Sequence, residues 1–192
     1  TKEAMYENFK FYLGPIRYRP HVVVKSDNAG EIIEAVRELG WHPEPSLADR
    51  WPHNAVHERW HGSYKSCVRA AMLQSGFPEK AWDLCVLYAS IILSVMKPAP
   101  ILPHELNGKG EVLESAKHKL TQTCWECFHN GDAFEGPIQP FGRLVWYRKP
   151  THPMMSNTAP GFFLGWRIDS GIRYRGILQI LDYDDAKEGR LT

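Results

Sequence analysis

Three consecutive valines, Val22 to Val24, sit in a His21–Lys25 segment that runs directly into Ser26-Asp27-Asn28-Ala29-Gly30-Glu31. A run of β-branched residues predicts a strand buried on both faces, and the turn-forming residues after it predict a helix from about Glu31 to Leu39. The strand, turn and helix carry acids at their junction, which sets this part of the chain as α/β. Gly40 ends the helix, and the prolines between Trp41 and Pro52 leave room for at most a short edge strand.

Periodicity organises the rest. Met5, Phe9 and Tyr12 or Leu13 predict an opening helix over Thr1 to Leu13, stopped by Gly14-Pro15. From Asn54 to Gln74, Val56, Trp60, Tyr64, Val68, Ala71 and Met72 form one stripe, and Asn54, Glu58, His61, Lys65 and Arg69 share the opposite side. Pro78 and Glu79 suit the first turn of another helix that runs to about Met96. It is apolar nearly all round, which predicts burial. The prolines of Lys97–Pro103 mark a boundary, and the polar stretch beyond has a possible helix around Val112 to Leu120. After Pro140 short strands are expected at Leu144–Tyr147, Gly161–Arg167 and Ile177–Leu181, the spacing of a small β-barrel or sandwich. The resulting division is 1–97, a linker at 98–139, a β-domain at 140–185 and a tail at 186–192.

Composition limits the classes available. Across 192 residues, 43% are hydrophobic and 23% charged, enough to build a core. A net charge of +1 gives no global positive field, so a nucleic-acid partner would need a local basic face. Thr1–Lys10 lacks the pattern of a signal peptide, and the apolar run Leu84–Met96 falls short of the ~20 residues needed to span a bilayer. The expectation is a soluble, intracellular protein, nuclear or cytoplasmic, with no membrane partner. Its four cysteines are then expected as reduced thiols, with Cys67 and Cys85 in the core.

Three constellations carry possible chemistry. His57-Glu58-Arg59-Trp60-His61 spells H-E-x-x-H, whose two histidines one turn apart could bind zinc while the glutamate activates water. Arg59 would oppose the dication, and Gly62-Ser63-Tyr64-Lys65-Ser66-Cys67 supplies no metzincin extension. Cys124-Trp125-Glu126-Cys127, near His118 and His129, could be half of a zinc site or a redox pair, but no second C-x-x-C accompanies it. The third constellation is the pair Asp27 and Glu58, at a strand end and in a first helical turn, which could converge on Mg²⁺ or Mn²⁺. The alternative is that Asp27 caps the following helix and Glu58 pairs with Arg59 or Lys65.

Lys25-Ser26-Asp27-Asn28-Ala29-Gly30-Glu31 resembles the strand-end segment of copia-type retrotransposon integrases, and Pro52-His53-Asn54-Ala55-Val56-His57-Glu58-Arg59 resembles their Asn-Gly-x-x-Glu-Arg segment. Leu73-Gln74-Ser75-Gly76-Phe77-Pro78 with Ala81-Trp82, then Thr123-Cys124-Trp125-Glu126, are similar to later segments of the same proteins. So are Pro140-Phe141-Gly142-Arg143-Leu144-Val145 and Gly161-Phe162-Phe163-Leu164-Gly165-Trp166, which resemble the strands of the small β-domain beyond the catalytic core. The similarity runs through residues 20 to 183 in the family's order.

The resemblance implies a partial ribonuclease-H-like core, a strand-helix unit plus two long helices, followed by a small all-β barrel-like domain. It implies DNA integration by metal-dependent strand transfer, with Asp27 and Glu58 as second and third members of an Asp, Asp, Glu triad binding Mg²⁺ or Mn²⁺. Asn54, His61, Lys65 and Arg69 would contact DNA, and the protein would form a homo-oligomer on retroelement ends and target DNA. Departures accompany the matches. The first aspartate is expected on an upstream strand, since Glu3 and Glu7 on the opening helix are the only acids before Asp27. The gap from Asp27 to Glu58 is several residues short of the family norm, and Ala55 replaces a glycine. A fragment inactive by itself is expected, or a decayed copy that serves as a non-catalytic nucleic-acid-binding or interaction module. Zinc proteolysis through residues 57–61 is the third reading.

Overall fold

The computed structural model describes residues 1–14, 22–46, 55–149, 154 and 156–191. Its elements are α1 (Lys2–Leu13), β1 (Val23–Ser26), α2 (Gly30–Glu38), β2 (His42–Pro45), α3 (Ala55–Ser75), α4 (Trp82–Met96), α5 (Cys124–Phe128), β3 (Leu144–Arg148), β4 (Thr158–Asp169), β5 (Arg173–Asp182) and α6 (Tyr183–Lys187). Helices and two small sheets make a mixed α/β protein. Two compact units divide the chain, one of residues 1–63 with 167–177, the other of 64–166 with 178–192. Among the described residues no helix is long and apolar enough to cross a membrane.

In the first unit, Thr1 caps α1 by accepting a hydrogen bond from the Ala4 amide at 3.4 Å, and Gly14 ends the helix at φ 67°. β1, α2 and β2 form a strand–helix–strand crossover whose strands pair in parallel, Val23 opposite His42 through Ser26 opposite Pro45. Two prolines fit in β2 because of parity. The amides of His42 and Ser46 donate to Val22 and Ser26 at 3.0 and 2.8 Å, so Pro43 and Pro45 fall where no donor is needed. Leu13, Val36 and Trp41 are the buried centre, with Phe9, Val22, Val24, Ile32 and Leu39 packed on them. The expected double-sided burial of the valine strand does not occur: β1 alternates, and Val23 is 51% exposed. With one partner strand, only the Val22 and Val24 side meets the core.

The turn between β4 and β5 closes this unit. Ser170 Oγ and the Gly171 amide both donate to the Phe11 carbonyl, at 3.2 and 2.7 Å. A Cβ on Gly14 would lie 2.6 Å from Gly171 Cα, so two glycines, both at positive φ, let backbone meet backbone.

In the second unit, Tyr88 of α4 is the hub. Its ring stacks on Trp166 at 5.5 Å and 10°, and packs against Phe141 and Phe163. Its hydroxyl donates to the Gln139 carbonyl at 3.2 Å, and Trp166 Nε1 donates to Pro137 at 3.0 Å. The buried side of α4 carries Cys85, Tyr88, Ala89 and Ile91. Full burial of this helix is not observed, because Trp82, Leu87 and Met96 are each more than half exposed. The possible helix near 112–120 is a 3₁₀ helix, Glu114–Leu120. Ahead of it Glu105 accepts from Lys119 at 2.5 Å and from the Leu102 amide at 2.8 Å.

The three late strands make one sheet, ordered β3-β4-β5, with β3 antiparallel to β4. The three-residue turn 170–172 makes β4 and β5 a hairpin. Among the described residues the sheet is open, so the expected barrel-like closure is absent; three strands cannot curl through a full circuit.

Candidate functional site

Asp27 follows β1 directly. The Ala29 amide and Ser26 Oγ donate to its backbone carbonyl at 2.8 and 2.9 Å, and α2 begins after Ala29 without a side-chain cap. The capping role is therefore not taken: the carboxylate is exposed, and among the described residues it has neither hydrogen bond nor ion pair. Glu58 lies in the first turn of α3, where a negative charge suits the helix dipole. It too is exposed, and no ion pair joins it to Arg59 or Lys65. Both acids belong to the first unit. Asn54 lies outside the described residues. His61 is half-buried and belongs with Glu58, whereas Lys65 and Arg69 are exposed and belong to the second unit.

Oxygen donors of this kind suit Mg²⁺ or Mn²⁺, but two carboxylates are fewer than a two-metal site needs. Among the described residues no group of three or more His, Cys, Asp or Glu side chains is arranged to hold a metal ion. The described residues do not by themselves make up the ligand set of a two-metal centre. Among the described residues the same observation gives His57 and His61 no third protein ligand of the kind a zinc protease uses. A cleft of about 990 Å³ beside α1 and α2, lined in part by Tyr6, Lys10, Phe11 and Leu39, includes none of these side chains.

The C-x-x-C segment is a capped helix. Thr123 Oγ1 accepts from the Glu126 amide at 3.2 Å, and Glu126 accepts from the Thr123 amide at 2.7 Å. Cys124 Sγ donates to Pro98 at 3.7 Å, and His129 stacks on Trp125 at 4.1 Å. Burial raises the Cys124 thiol and pushes Cys85 up to about 12, the reverse of a reactive thiolate.

Two charged groupings carried no signal in helical or motif patterns. Asp182 accepts from Tyr147 at 2.6 Å and Lys149 at 2.7 Å, with the Asp184 amide on its other oxygen at 2.8 Å. At the β4–β5 tip, Arg167 and Arg175 flank Asp169 at 3.7 and 3.2 Å, with Arg173 exposed nearby in sequence. Their signal was the two-residue alternation of charge along strands.

Neither a protein-family model nor a curated protein matches the chain. Among solved structures it is similar to a chain in the cryo-EM structure of the simian T-cell lymphotropic virus intasome in complex with PP2A regulatory subunit B56 gamma. Identity is 14% and the TM-score 0.43, over 95% of this chain and 62% of that one. The chain thus spans less than two thirds of the structure it matches. A likeness this distant carries no argument about function.

Proposed function

We propose that this chain is part of a copia-type integrase, a polynucleotidyl transferase acting on retroelement ends and target DNA, and that it needs further chain to be active. The carrying observation is the order of six family-like segments between residues 20 and 183. Two placements agree with it: Asp27 directly follows β1, and Glu58 lies in the first turn of a long helix with no partner for its carboxylate among the described residues. Mg²⁺ or Mn²⁺ would supply charge neutralisation at the transferred phosphate, and an upstream aspartate would complete the ligand set. Lys65 and Arg69 would contact phosphates without reading bases.

The test joins the chain to the upstream segment carrying the first aspartate and assays strand transfer in Mg²⁺ or Mn²⁺. Asp27→Asn and Glu58→Gln are each expected to lower the rate by about 100-fold or more, while leaving DNA binding in place. Unchanged strand transfer in either variant overturns the assignment. The incomplete carboxylate set favours a second reading, a non-catalytic DNA-binding module. Binding that EDTA does not alter, with no strand transfer from the longer protein, would select it.

A further inference from the structure

Two histidines lie in the first turns of α3. His57 is exposed and His61 half-buried, and among the described residues neither has a hydrogen-bond partner or an ion pair. Their ring centroids stand 4.3 Å apart at 67°. Spacing of one helical turn puts both rings on one face with their Cβ positions fixed by the backbone. Imidazole nitrogen binds a metal at ~2.0–2.1 Å, so two rings sharing an ion at angles from square to tetrahedral hold their centroids roughly 4.5–5.2 Å apart. The observed separation of 4.3 Å lies just below that range.

We propose that His57 and His61 form a chelating pair for a borderline divalent transition ion, Cu²⁺ in preference to Ni²⁺ or Zn²⁺. Imidazole suits these ions, and the preference follows the general affinity order for nitrogen ligands. Water fills the remaining coordination positions, which makes this a binding site and not a protease centre. It uses imidazoles where the integrase reading uses carboxylates, so the two ideas stand or fall separately. Trp60 supplies a reporter, with its ring 5.7 Å from that of His61. Paramagnetic Cu²⁺ held there would quench its fluorescence.

The experiment titrates the full chain with CuCl₂, NiCl₂ and MgCl₂ by calorimetry and tryptophan fluorescence. One Cu²⁺ site is expected, not competed by Mg²⁺. His57→Ala and His61→Ala should each weaken Cu²⁺ by about tenfold or more, since either loss turns a chelate into a single ligand. Trp60→Phe should remove most of the quenching while keeping the calorimetric affinity. His42→Ala and His104→Ala, at exposed histidines elsewhere, should bind as the parent does. Parent-like affinity in His57→Ala or His61→Ala overturns the site, as does an equal loss in His42→Ala or His104→Ala. All variants lie at exposed or half-exposed positions, and circular dichroism verifies that each remains folded.

Discussion

Gly14 and Gly171 are constrained by contact and by conformation together. Each has φ in the left-handed region, 67° and 79°, and a methyl group on Gly14 would sit 2.6 Å from the backbone of the other. Gly14→Ala is expected to cost about 1–3 kcal/mol of stability, read as a shift in urea midpoint. Gly40→Ala is the comparison, at φ 73° with open space around its would-be Cβ, and should cost less. Equal losses would mean that strain alone matters and the close approach does not. Gly14 was legible in sequence as a helix stop, but its second duty was not, because the partner lies far along the chain. Asp27 teaches the same lesson. Its residue type suggested a cap, whereas the turn used the Asp27 carbonyl and α2 has no side-chain cap.

α3 and β3 were readable almost to their ends, whereas β4 and β5 were placed but run longer than expected, β5 beginning at Arg173 and not at Ile177. What the period could not say is how many neighbours each element would have. α4 and β1 are both less buried than their composition suggested, since burial depends on neighbours that are specified elsewhere in the chain. Joints between elements were equally hidden. Lys149, and after it Tyr147, hold the Asp182 carboxyl well below the usual carboxylate range, tying the end of β3 to the start of α6. Glu105 is lowered as well, first by Lys119 and then by the Leu102 amide. A depressed carboxylate stabilises the fold fully above its unfolded pKa and loses that contribution as pH falls through the folded value. These two joints are therefore intact above their ordinary values of 3.8 and 4.5 and weaken below them. Asp182→Asn and Glu105→Gln should flatten the acid limb of stability, compared by urea unfolding at about pH 3 and about pH 6. An acid limb as steep as the parent's would assign the pH dependence to other carboxylates.

For the molecule as a whole, the charge of +1 predicts weak binding to duplex DNA by this chain alone, through local cations. Lys65→Ala and Arg69→Ala should each reduce the slope of log affinity against log salt by about one, uniformly across sequences. A slope unchanged in the double variant would remove α3 from the interface. The candidate acids were legible because residue type and spacing carry them, and so was the lack of a suitable acid before Asp27; convergence was not, because it is a property of folded chain. Order of synthesis adds a last consequence. The Phe11 carbonyl receives its Ser170 donor from 159 residues further along, so the first unit lacks its closing turn until the ribosome has passed that point. At about 5–20 residues per second, α1 spends several seconds or more with its docking end uncovered. Helix α1 is finished only by a turn made long after it.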